Sequence, residues 1–383
     1  MVLFLTVGQF AGAALTGGIR MRYTRMEAER VSRASDVPTG FAAALGGSLV
    51  LVGAAGVVAL LGATILGVGD SASDTAVFVL LATAFTAAFS VVELVKQHHQ
   101  AHLKFTLAGL LGVARGAAML VAGVLATVGA TRSGPAVAAW LAAGSALVAA
   151  SAVLPILRSS GPAAPRADGR EGRLAFGPEA GWLTVYYIAS AGFAYATVFV
   201  VAVLLDDAAL ASYGAATRYL AIVLGPMPAL LVVLRVRTSQ ADIVDSGALQ
   251  ARMLLRWVRL VGPPVLVVLG AMALLAPVAI PILDDGRYPD SIPIFQLLLA
   301  SALFTYAMMP APNLLMTQRR YRLLAGVYAV ALVAMVGAGA IAAEASGVVA
   351  VAAATAAIGS IEMCVVAWLA LNARRRTTAA ATQ

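Results

Sequence analysis

Apolar residues run in long blocks along the whole chain, separated by short polar stretches. Eleven blocks are long enough, or nearly so, to cross about 30 Å of hydrocarbon, which takes roughly 20 helical residues. They are Val2–Ile19, Gly40–Val68, Ala76–Val95, Phe105–Gly129, Ala136–Leu157, Gly181–Leu205, Tyr213–Leu234, Leu260–Leu283, Ile292–Met316, Leu323–Ala343 and Gly347–Leu371. Lipid offers no partner to a bare backbone N–H or C=O, so each block is expected as a helix.

Composition agrees with that pattern. The chain has 383 residues, 61% hydrophobic and 11% charged, with a mean hydropathy of +0.91. Soluble domains lie nearer 45–50% apolar and about 25% charged. A soluble enzyme, a disordered chain and a single anchor on a soluble domain are all excluded, and a polytopic all-α membrane protein remains. The net charge of +8 is a topology signal rather than a nucleic-acid footprint. Alternate loops hold 22 of the 26 basic residues, among them Arg20 to Arg33, Lys96, Lys104, Arg158 to Arg173, Arg235 to Arg259, Arg319 to Arg322 and Arg374 to Arg376. The other loops hold Arg132 and Arg287 beside Asp70, Asp74, Asp206, Asp207, Asp284, Asp285, Asp290 and Glu344. The positive-inside rule makes the first set cytoplasmic. The C-terminus is then inside, and Met1 is outside as the chain stands. The single cysteine, Cys364, excludes an intramolecular disulfide and a multi-cysteine metal site.

The chain repeats itself weakly. Ile19 to Arg22 (I-R-M-R) matches Leu234 to Arg237 (L-R-V-R), and His102 to Gly109 matches Arg319 to Gly326 at nearly the same offset. Blocks one to five thus align with blocks seven to eleven in the same orientation. Two pseudo-symmetric lobes of five and six helices around a central cavity are expected, at residues 1–157 and 181–372. A Gly- and Pro-containing cytoplasmic linker covers 158–180, and a tail covers 373–383. The arrangement is that of two bundles rocking about a pseudo-two-fold axis.

Three stretches carry a family likeness. Tyr213 to Leu220 (Y-G-A-A-T-R-Y-L) follows a short acidic loop. Leu274 to Leu298 contains an L-D-D-G-R-Y-P-D-S turn between two helices. Pro312 to Arg322 (P-N-L-L-M-T-Q-R-R-Y-R) is a basic turn. In order and spacing they resemble the polysaccharide-unit (O-antigen, lipid-linked oligosaccharide) flippases of the multidrug/oligosaccharidyl-lipid/polysaccharide exporter superfamily. The resemblance runs over nearly the whole chain, shifted by one helix, and implies a first lobe without its opening helix. It implies a multi-pass protein of the bacterial plasma membrane, acting in polysaccharide or lipopolysaccharide biosynthesis. Its partners would be lipid-linked oligosaccharide, membrane lipids and polysaccharide assembly proteins, with no nucleic acid. A multidrug/cation antiporter of the same superfamily and a non-transporting scaffold of the assembly complex are the rivals. Neither an enzymatic activity nor a cofactor is expected, because no Walker A loop, H-E-x-x-H or G-x-S-x-G is present.

Five residues are candidates for substrate binding. Arg115 lies near the middle of its block, where a charged side chain costs about 2.5–3.5 kcal/mol and so needs a partner or an aqueous cavity. In the implied function its planar donor fork suits the pyrophosphate of a polyprenyl carrier. The alternative is a buried pair with Glu362 or Glu93. Arg218 contacts headgroup or sugar, or snorkels to the interface. Glu362 is a proton site or the partner of Arg115. Tyr187 and Tyr195 stack on sugar rings or fill the bundle core. Glu93 is expected to be solvated at the interface. The His98, His99 and His102 cluster has no acid near it in sequence except Glu93, and reads as an interfacial turn rather than a metal site. Pro226, Pro228, Pro310 and Pro312 interrupt two blocks and are expected to let them bend.

Overall fold

The computed structural model describes residues 2–32, 40–66, 72–128, 134–159, 178–225, 227, 230–231 and 246–381. Among these residues the only regular structure is helical, in eleven helices. They are α1 (Val2–Ser32), α2 (Phe41–Leu66), α3 (Ala72–Ala101), α4 (Phe105–Val128), α5 (Gly134–Ser159), α6 (Pro178–Leu204), α7 (Asp207–Leu224), α8 (Ser246–Asp284), α9 (Ser291–Met308), α10 (Pro310–Thr317) and α11 (Tyr321–Ala381). Most of the expected linker, the L-R-V-R stretch, Pro226 and Pro228 lie outside the described residues.

The helices do not map one to one onto the apolar blocks. Helix α1 runs on from the first block through Arg20, Arg22 and Arg25 to Ser32, where a basic loop was expected. The ninth block is divided between α9 and α10, because Pro310 opens a new helix after Met309. The tenth and eleventh blocks are joined in α11, whose direction changes at Gly347 (φ 76°, ψ −161°). That backbone conformation is open to glycine and closed to residues with a Cβ. By length and composition, eight of the helices can cross a membrane, α11 counting once although it carries two apolar blocks. Their flanks expose large aliphatic side chains, such as Leu274 at 82% and Val203 at 78%, as a lipid-facing surface requires.

The chain divides into two compact units, Met1–Ala191 and Gly192–Gln383, with the boundary inside α6. In the first unit α3 is the central element, packed against α1, α2, α4 and α5. Val92, Leu94 and Val95 of α3 are fully buried. Small residues let the helices approach closely: a Cβ on Gly17 of α1 would overlap the ring of Tyr187 on α6. In the second unit α9 packs against α7, α8 and α11. Its core joins Val201, Ala216, Leu269, Ile294, Val351 and Ala352.

Two turns have the same construction. After α3, Leu103 takes a left-handed φ of 58°, with Leu103 N–H donating to Gln100 O and Lys104 N–H to His99 O. After α10, Arg319 takes a φ of 57°, with Arg319 N–H donating to Met316 O and Arg320 N–H to Leu315 O. Each is the paired-bond helix stop that normally carries glycine. The equivalence sets Leu103 against Arg319, one residue away from the register of the sequence repeat.

Candidate functional site

The charged centre of the first unit is built on α3 and α4. Phe89, Glu93 and Lys96 are spaced four and three residues apart, so they share one face of α3. Glu93 Oε1 accepts from Lys96 Nζ at 2.9 Å and from Arg115 Nη1 of α4 at 2.9 Å. The Arg115 guanidinium carbon lies 4.5 Å from the centre of the Phe89 ring, a cation–π contact. Arg20 of α1, itself buried, adds a third positive charge acting on Glu93. One carboxylate thus faces three basic side chains from three helices. Glu93 and Arg115 stand roughly 12–15 Å from the turn joining α3 and α4, at a rise of about 1.5 Å per residue. Glu93 is therefore an ion-pair partner at the depth of Arg115, not a solvated interfacial acid. Of the two carboxylates offered for Arg115 by the sequence, the bonded one is Glu93.

A second polar cluster lies towards the ends of α1 and α3. Tyr23 Oη and His98 Nδ1 are 2.6 Å apart, and His102 Nε2 lies 2.8 Å from Glu27 Oε1. Each pair joins residue i to residue i+75, so α1 and α3 run in the same direction here. Thr24 Oγ1 also donates to Gln97 Oε1 at 2.9 Å. Glu27 is 2% exposed. The sequence reading missed this acid, which lies outside the apolar blocks in a stretch taken for loop. The available signal was the repeated spacing of four, Tyr23 to Glu27 and His98 to His102.

In the second unit Glu362 is buried at 4% exposure on the later half of α11, and it hydrogen-bonds with Tyr328 on the earlier half. Its Oε1 has no hydrogen-bond partner among the described residues. It borders a largely apolar cavity of about 920 Å³ lined by Arg320, Arg322, Gly326, Val330, Ile361 and other residues of the two halves.

The remaining candidates are dispersed. Arg218 is exposed on α7. Tyr187 is half-buried against Gly17 and meets Tyr186 edge to face at 5.0 Å between ring centres. Tyr195 is half-buried two turns further along α6, in the second unit. Pro310 is at the break between α9 and α10, and Pro312 lies within α10.

No family model matches the chain. No curated protein matches it either. Solved structures do. The lipid II flippase MurJ, in an inward closed conformation, gives a TM-score of 0.67 at 12% identity, over 94% of this chain and 77% of that one. A multidrug resistance MATE family transporter of the MOP superfamily, in an outward-facing conformation, gives 0.74 at 13% identity, over 100% of this chain and 88% of that one. The Vibrio cholerae MATE transporter VcmN in its bent form gives 0.67 at 16% identity, over 98% and 88%. At such identities the likeness establishes the fold: this multi-pass membrane chain has the helical architecture shared by MATE transporters and a lipid II flippase.

Proposed function

We propose that the chain flips a polyprenyl-pyrophosphate-linked oligosaccharide across the bacterial plasma membrane by alternating access. The observation that carries this reading is the pairing of two cations, Arg115 and Lys96, on the carboxylate of Glu93, with the positive charge of Arg20 acting on the same group. Fixed cations at that depth suit an anionic headgroup. In the proposed cycle pyrophosphate oxygens compete with Glu93 for the donors of Arg115, and the polyprenyl tail stays in lipid. Arg218, Tyr187 and Tyr195 are assigned to the sugar and headgroup path, and Glu362 to coupling. The two lobes alternate access to the two faces of the membrane, with the C-terminus in the cytoplasm. No bond of the substrate is broken, so the activity is transport.

The test is translocation of a fluorescent lipid-linked oligosaccharide in proteoliposomes. The reading expects quencher-accessible substrate to move between leaflets only when the protein is present. Absence of movement, together with proton- or sodium-driven uptake of cationic drugs, establishes the second reading, a multidrug antiporter. Glu362 favours that alternative, being a buried carboxylate beside a largely apolar cavity. Inactivity in both assays, with loss of polysaccharide export in a deletion strain, identifies a scaffold of the assembly complex.

A further inference from the structure

The polar cluster at the ends of α1 and α3 plays no part in the proposed transport path. Three metal-ligating side chains meet there, Glu27, His98 and His102, with one donor atom of each within 4.8 Å of the other two. We propose that they form a binding site for a divalent transition metal ion of the zinc class.

Four observations support the site. The donor set is two imidazoles and one carboxylate, the borderline nitrogen and oxygen ligands that such ions prefer over calcium or magnesium. His98 and His102 are one helical turn apart, so both rings reach one point. Glu27 is almost fully buried, with its Oε1 2.8 Å from His102 Nε2, so the carboxylate is already held against one of the two imidazoles. Tyr23 supplies the support that metal-bound imidazoles require. With the proton on Nδ1 of His98, the Tyr23 oxygen accepts it at 2.6 Å and Nε2 keeps its lone pair for the ion. Tetrahedral ligand bonds of about 2.0–2.2 Å set donors roughly 3.3–3.6 Å apart, so a donor pair at the 4.8 Å limit closes by about 1.2–1.5 Å, a shift that side-chain rotation can supply. Three protein ligands leave a fourth position to water. The ion would replace the proton now shared by His102 and Glu27 and would join α1 to α3.

The experiment uses full-length protein in detergent, freed of its affinity tag and stripped with chelator. Co²⁺ titration is followed by visible absorption, and Zn²⁺ binding by competition against it. One saturable ion per chain is expected. His98→Gln, His102→Gln and Glu27→Gln should each abolish the Co²⁺ bands, His99→Gln should keep them, and Tyr23→Phe should weaken affinity by about 10–100-fold. X-ray absorption on the zinc-loaded wild type needs no variant and should count two imidazoles. Absence of saturable binding overturns the proposal. So does binding that persists in His98→Gln and His102→Gln, or a spectrum with fewer than two imidazoles.

Discussion

Arg115 and Glu93 meet at 2.9 Å between α4 and α3, about two turns or more from the end of either helix. The pair is also where stability and activity separate. Glu93→Ala leaves Arg115 and Lys96 without their shared counter-charge. We expect a loss of roughly 1–3 kcal/mol, the usual penalty for stranding a buried polar group. Thermal unfolding of the detergent-solubilised variant measures it.

Arg115→Ala removes one cation of three and leaves Glu93 bonded to Lys96. Under the flippase reading, translocation falls at least about 10-fold, equal to about 1.4 kcal/mol of binding to the headgroup. Protein abundance in the membrane stays near wild type. Wild-type flipping in this variant removes Arg115 from the mechanism.

Gly17→Leu drives a side chain into the ring of Tyr187. Overpacking of that kind costs about 1–3 kcal/mol. Tyr187→Ala should recover part of the loss in the double variant. The coupling between the two substitutions, read from thermal midpoints, checks the contact directly.

Leu103→Gly should stabilise the chain by about 1 kcal/mol or less, since Leu103 carries a left-handed φ that glycine adopts freely. Its side chain is 56% exposed, so little burial is lost. A lower thermal midpoint would contradict the turn geometry.

Glu362→Gln keeps the shape of the side chain and its approach to Tyr328, so a near-normal melting temperature is expected. If the chain is an ion-coupled antiporter, driven drug uptake is lost. Under the flippase reading, in which Glu362 serves coupling, oligosaccharide translocation falls, and translocation that persists at the wild-type rate removes Glu362 from coupling.

The helical fold was readable because lipid-facing and core positions are both apolar, and the resulting blocks stand out from their polar flanks. What escaped lies where that contrast fails. Helix α1 continues past Ile19 into charged residues that are buried against α3, so Arg20 and Glu27 looked like loop. Helix α3 likewise continues through Lys96 and His98 to Ala101, which places Glu93 deeper than its block boundary suggested. Arg115 announced its need for a partner through its position alone. Choosing Glu93 over Glu362 required knowing which face of α3 meets α4.

The reversal at Gly347 takes a single residue, with helix on both sides of it. Nothing protrudes there for a protease to cut or an antibody to grip. An epitope inserted at that point would have to splay two helices whose facing residues include Tyr328 and Glu362. Topology mapping by tag insertion therefore belongs in the Asp284–Asp290 turn, where Asp285 and Arg287 are 81% and 72% exposed.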